Sequence, residues 1–170
     1  YTPTADGQDA AILRFSTNDD SLPDGLLDIQ INGDSKTPDL EVCAFEGDTL
    51  IDCSQPGSNA ESPYEVQFGE VELDRSADRR LELRSKGSRP LAIDGFAITG
   101  DADFTANPAT LREELATGQK RDVTVTFAAK AGSYREARLT IDSNDPAETK
   151  LVVRLLGTGD GPALCTAVAN

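Results

Sequence analysis

Residues 121–159 read RDVTVTFAAKAGSYREARLTIDSNDPAETKLVVRLLGTG. Val123, Val125 and Phe127 alternate with polar residues. So do Ala137, Leu139 and Ile141, and then Leu151, Val153 and Leu155. A period of two marks strands with one buried face. Between the last two runs lies Asp142-Ser143-Asn144-Asp145-Pro146. Asn and Asp side chains bond nearby backbone amides, and Pro cannot continue a central strand, so this stretch turns the chain. Working outward, the same alternation predicts strands over Glu65–Leu73, Arg79–Ser85 and Pro90–Thr99, and a short one at Phe104. Gly69 marks a bulge or sharp bend, and Gly95 shifts the phase of its strand. Ala109–Leu115 is helix-like but no longer than a turn. Seven short strands with turn signals every 8–12 residues or so predict an all-β fold. The economical form is an immunoglobulin-like antiparallel β-sandwich, and parallel βαβ architecture is disfavoured.

The decisive stretch has an earlier, partial copy. Tyr1 falls on Phe127, Ala5 on Ala131, Ala11 on Ala137, Leu13 on Leu139, and Phe15 on Ile141. Asn18-Asp19 falls on Asn144-Asp145. After a loop two residues longer, Leu27, Ile29, Ile31 and Gly33 fall on Leu151, Val153, Leu155 and Gly157. Self-similarity of this kind signals an array of like modules. Residues 1–35 are therefore expected to be the C-terminal part of a preceding module, a truncated first copy. Residues 36–63 are expected to be a disulfide hairpin and linker, 64–159 a complete sandwich, and 160–170 the start of the following segment. The sequence holds no Met, which predicts an interior piece of a longer protein.

Composition narrows the chemistry. There is no His, so a His-dependent triad, an imidazole metal ligand and a switch near neutral pH are absent from this sequence. The formal charge is −14, and residues 1–63 hold 13 acids against Arg14 and Lys36, a net of −11. That argues against nucleic acid or an anionic membrane as partner of the front half. Cys43 and Cys53 flank a hairpin centred on Asp48, with expected pairs Gly47/Thr49, Phe45/Ile51 and Cys43/Cys53. Sulfurs facing each other across neighbouring strands are within disulfide reach. Closing so short a loop contributes about 3 kcal/mol on the chain-entropy model. A disulfide implies an extracellular, cell-surface or periplasmic setting. Cys165 is expected to open the same pattern in the next segment.

The ordered series Phe68-Gly69-Glu70-Val71, Leu81-Glu82-Leu83-Arg84-Ser85-Lys86-Gly87, Pro90-Leu91-Ala92-Ile93, Gly100-Asp101-Ala102-Asp103-Phe104, Val123-Thr124-Val125-Thr126-Phe127, Gly132-Ser133-Tyr134, Ser143-Asn144-Asp145-Pro146 and Leu155-Leu156-Gly157-Thr158-Gly159 resembles a known family. It is similar to the ASPM/SPD-2/Hydin-type immunoglobulin-like domain, related to major sperm protein, and more closely to the bacterial choice-of-anchor D modules. The resemblance covers about residues 64–159, and 1–35 in part. It implies a sandwich of seven or eight strands, used in tandem on large surface or secreted bacterial proteins, and it supplies no catalytic residues. The chain departs from the pattern at Ala128, where Pro is usual, and in its cysteine hairpin.

Asp19, Asp20, Asp24 and Asp28 cluster in and after one loop. Hard oxygen ligands of this kind can hold calcium. Their spacing fits no EF-hand loop, and the preferred reading is solvated turn acids. Arg75, Arg79, Arg80, Arg84, Lys86 and Arg89 alternate with Asp74, Asp78 and Glu82. They read as an outward face of mixed charge, or as a patch that docks an acidic module. Glu113-Glu114 reads as solvated, since neighbours on a strand point apart. The expected function is a non-catalytic structural or spacer module of a large repeat-containing bacterial surface or secreted protein, with no cofactor. Its expected partners are neighbouring modules of the same protein or another surface protein, with no nucleic acid and no direct membrane contact. The alternatives are an adhesin-type protein- or glycan-binding module and an accessory domain of an enzyme lying elsewhere on the polypeptide. Three Tyr and no Trp weaken the glycan reading.

Overall fold

The computed structural model describes residues 7–19 and 21–161, so expectations placed on Tyr1, Ala5, Asp20 and Cys165 lie outside the described residues. The strands are β1 (Gly7–Ser16), β2 (Leu26–Ser35), β3 (Leu40–Glu46), β4 (Thr49–Cys53), β5 (Tyr64–Glu72), β6 (Ser76–Ser85), β7 (Leu91–Gly100), β8 (Phe104–Asn107), β9 (Glu113–Leu115), β10 (Lys120–Ala128), β11 (Tyr134–Ser143) and β12 (Lys150–Asp160). β1 and β2 form a two-stranded sheet of their own. The rest form two five-stranded sheets, a front one in the order β4-β3-β6-β10-β8 and a back one in the order β5-β12-β11-β7-β9.

The inward residues are those the alternation picks out. Leu81, Leu83, Val123, Val125 and Phe127 of the front sheet meet Leu91, Ile93, Leu139, Ile141, Leu151, Val153 and Leu155 of the back sheet, all fully buried. Each such side chain contributes roughly 1.5–3 kcal/mol by leaving water. Phe127 sits at one end of the core. It stacks on Phe104 at 4.7 Å between ring centroids and meets Phe68 edge-on at 6.0 Å. Gly157 lies directly against that ring. A methyl group there would fall 2.6 Å from Phe127 Cε1.

Both glycine irregularities occur where the sequence places them. The β5–β12 register slips around Gly69, which holds a positive φ of 74°, and the β7–β11 register slips beside Gly95. Three features differ from expectation. The segment Ala109–Leu115 is not helical. It ends in β9, paired on β7, because the core takes both Leu111 and Leu115 from an extended chain. The cysteine hairpin turns on Gly47-Asp48, with Glu46 opposite Thr49 and Phe45 opposite Leu50 in place of the expected pairs. Gly47, at φ 58°, suits a tight two-residue turn. A bulge then absorbs the extra residue and restores Cys43 opposite Cys53. Finally, one pairing in the sandwich, β5 with β12, is parallel, because the chain crosses from β4 in the front sheet before entering the back one.

The hairpin is also no free connector. β3 pairs with β6 from Leu40 to Phe45, and Leu40, Val42 and Ala44 join the core. Tyr64, the first residue of β5, donates its hydroxyl to the Asp52 carbonyl at 2.7 Å, and burial pushes that phenol up to about 12.

Candidate functional site

The strongest concentration of polar side chains lies on the outer face of β3, β6 and β10. Residues facing inward on β3 (Leu40, Val42, Ala44) force Glu41, Cys43 and Phe45 outward. On β6, Leu81 and Leu83 face inward and Arg80, Glu82 and Arg84 outward. Register then sets Glu41 beside Arg84, Cys43 beside Glu82, and Phe45 beside Arg80, with Asp122 of β10 opposite Glu82.

Glu82 is the hub. Its side chain is 4% exposed, and it accepts from Arg84 Nε at 2.6 Å and meets Lys120 Nζ at 2.8 Å. Burial pushes its carboxyl up, but the hydrogen bonds from Lys120 and Arg84 outweigh that and hold it below the usual range. Arg84 reaches on to Glu41 at 3.1 Å, Lys86 meets Glu41 at 2.8 Å, and Arg80 spans Glu82 and Asp122. The guanidinium of Arg80 lies 4.0 Å from the centre of the Phe45 ring, a cation–π contact. Arg79, Arg80, Arg84 and Lys86 of the basic stretch seen in the sequence are therefore met by carboxylates. Alternation on β10 could have placed Lys120 and Asp122 on this face; the contributions of Glu41 and Phe45 required the β3–β6 register.

The disulfide joins Cys43 to Cys53 with the sulfurs 2.02 Å apart. Glu41 and these two sulfurs are the one group of potential metal-ligating atoms gathered among the described residues. Sulfurs bonded to each other offer no thiolate to a metal. Asp19, Asp24 and Asp28 are not gathered. Asp19 accepts from the Ser21 hydroxyl at 2.6 Å and its backbone amide at 2.9 Å, which together lower its carboxyl. Asp24 is exposed at a positive φ of 56°. Asp28 accepts two bonds from Arg14 across the β1–β2 pair, both 2.7 Å, and is held low by them. Glu113 lies 3.4 Å from Arg121, and Glu114 is exposed.

The β11–β12 turn forms a second polar cluster. Asn144 Oδ1 accepts the Ala92 amide of β7 at 2.9 Å. Asp145 Oδ1 accepts the Ala147 amide at 2.8 Å, while Oδ2 accepts the Leu40 amide of β3 at 2.9 Å. The turn thus clamps both sheets. Glu148, also buried, accepts from the Gly57 and Ser58 amides, and its other oxygen has no partner among the described residues. Burial raises its carboxyl, and the two amides only partly offset this. A cleft of about 70 Å³ beside Glu41, Lys86 and Glu148 has room for a few waters at most.

No curated protein matches the chain in sequence. Among solved structures, a protein of unknown function from Porphyromonas gingivalis W83 superposes with a TM-score of 0.52 at 12% identity, over 93% of this chain and 68% of that one. That span is longer than the sandwich alone. The seventh PapD-like domain of human CEP192 superposes with a TM-score of 0.42 at 15% identity, over 64% of this chain and 91% of that domain. VesB protease from Vibrio cholerae superposes with a TM-score of 0.40 at 17% identity, over 56% of this chain and 30% of its own. The profile of the HYDIN/CFA65/VesB-like Ig-like domain matches residues 61–156, the span from just before β5 through most of β12. With more than half its length inside that match, the chain belongs to the HYDIN/CFA65/VesB-like Ig-like domain family.

Proposed function

We infer that the chain is a non-catalytic structural module in a repeat-containing protein that works outside the reducing cytoplasm. The observation that carries this reading is the repetition itself. β1–β2 reproduces β11–β12 in register, with Ala11 opposite Ile31, Leu13 opposite Ile29 and Phe15 opposite Leu27, as Ala137 is opposite Leu155, Leu139 opposite Val153 and Ile141 opposite Leu151. The outer face of β3, β6 and β10 fits the same reading. Its ions pair with one another across three strands, and its disulfide pins the edge hairpin, which supports an oxidising setting such as a bacterial surface or periplasm.

Such a module holds its neighbours at a fixed distance. Scattering from the full-length gene product tests this. Its longest dimension should grow by about 35 Å per repeat, the span of the 11-residue β12 at about 3.3 Å per residue. A compact particle whose length ignores repeat number would refute the spacer role, and free thiols at Cys43 and Cys53 in protein from its native source would refute the compartment. A second reading, an accessory domain of an enzyme carried elsewhere on the polypeptide, draws on the family itself, whose description takes in VesB.

A further inference from the structure

The β1–β2 hairpin carries an apolar face that the rest of the described chain does not cover. Residues opposite each other across the pair share a side. One side presents Ala11, Leu13, Phe15, Leu27, Ile29 and Ile31; the other mixes Ala10, Ile12 and Leu26 with the Arg14–Asp28 ion pair and the Gln30–Asn32 hydrogen bond. Leu13 is 45% exposed and Ile29 44%, while their counterparts Leu139 and Val153 are fully buried.

The likeness extends to polar detail. Thr17 N donates to Gly25 O at 2.8 Å as Ser143 N donates to Thr149 O at 3.1 Å. Asp19 Oδ1 accepts the amide two residues on, as Asp145 Oδ1 does. In the complete copy the next atoms of this turn are used outside the hairpin: Asn144 holds β7, and Asp145 Oδ2 holds β3. The molecule therefore contains an image of what covers such a hairpin.

We propose that the apolar face of β1–β2 is one half of a second sandwich core. Its occupant is a segment of the same polypeptide, ahead of residue 7, built like β3–β10. A sheet like β3-β6-β10 lies over Leu13, Phe15, Leu27 and Ile29. A strand like β7 pairs antiparallel on the free edge of β1, and a strand like β5 pairs parallel on the free edge of β2. Asn18 and Asp19 accept backbone amides from the β7-like and β3-like strands. Topology selects this occupant: every strand that covers β11–β12 precedes it in the chain. This deepens the tandem reading given above and rests on it.

The test is thiol labelling in the full-length gene product, with Cys165→Ser in the background. Ile29→Cys and Gln30→Cys sit next to each other on β2 but on opposite faces. Ile29→Cys should react about 100-fold more slowly than Gln30→Cys in the full-length protein, and at a similar rate in the 170-residue chain. Equal rates in the full-length protein would overturn the proposal while leaving the repeat-length measurement, and so the spacer reading, intact. Protection of Ile29→Cys in the 170-residue chain that grows with protein concentration would also overturn it, by making a second copy the occupant. A gene with no such segment ahead of Tyr1 would do the same. If Ile29→Cys perturbs packing, Leu13→Cys against Arg14→Cys repeats the comparison on β1.

Discussion

Replacing Gly157 by Ala adds one methyl group at the tightest point of the core. The ideal position for that carbon is 2.6, 2.7 and 3.0 Å from three atoms of the Phe127 ring. The ring cannot step aside, because it is fully buried and lies against Phe104 and Phe68. The backbone at Gly157 is outside the left-handed region, so Ala suffers no conformational penalty there and sterics alone decide. Overpacking of this kind costs about 2 kcal/mol. For a sandwich of this size, whose unfolding entropy is about 0.25 kcal/mol per degree, the midpoint should fall by about 8 °C. Phe127→Leu alone should cost about 1 kcal/mol. If the ring is the obstacle, the two changes are not additive, and the double variant should recover about 1–2 kcal/mol against the sum. Thermal unfolding followed by circular dichroism gives all four corners of the cycle. A Gly157→Ala midpoint equal to that of the parent, or effects that add within about 0.5 kcal/mol, would show that the ring contact does not set the requirement for glycine.

Converting Cys43 and Cys53 to Ser opens a loop whose ends are 10 residues apart and should lower stability by about 3 kcal/mol, read by denaturant titration, with strand content unchanged. Glu148→Gln keeps an oxygen for the Gly57 and Ser58 amides but removes a buried charge. Because burial raises the Glu148 carboxyl in the folded state, its stabilising share is present below the ordinary value of 4.5 and is lost as pH rises through the folded value. The variant should therefore exceed the parent in melting temperature at pH 7.5 and match it near pH 4; a gap that does not change with pH would contradict this. Glu82→Gln should behave in the opposite sense. The Glu82 carboxyl is held low, so its contribution is present above 4.5 and disappears as pH falls through the folded value. The loss should be about 2 kcal/mol at pH 7 and should vanish in acid.

The sandwich was legible because alternation in residues 121–159 has no competing period, and because Gly69 and Gly95 break that alternation where the registers slip. The Cys43–Cys53 pair was legible from spacing. The docking of β3 onto β6 was not. Val42-Cys43-Ala44-Phe45 reads as one continuous apolar run, since the outward Cys43 and Phe45 are as apolar as the inward Val42 and Ala44. The partners of β5 were hidden for a more general reason: a strand's pattern says which face is buried, not which strand lies beside it. Likewise Glu148 looks like a surface turn acid. Its burial depends on Gly57 and Ser58, some ninety residues away in sequence. In the sequence Asp19 is one acid among several in a loop, a solvated turn residue or a weak calcium candidate. Only the geometry of Asp145 revealed what a carboxylate at that point of the turn does.

The parallel pairing of β5 and β12 bears on how the module responds to tension. A pull that holds Tyr64 back while drawing Asp160 forward runs lengthwise along both strands, so their rungs resist together in shear. An antiparallel hairpin such as β11–β12, tugged at its open end, peels one rung at a time. When the pull instead enters the chain ahead of Cys43, the bond between Cys43 and Cys53 carries load past residues 44–52, which stay slack. Extension between Tyr64 and Asp160 in an optical trap should therefore give one abrupt rupture, and extension from a handle ahead of Cys43 a contour gain that omits that short loop until the cystine is reduced.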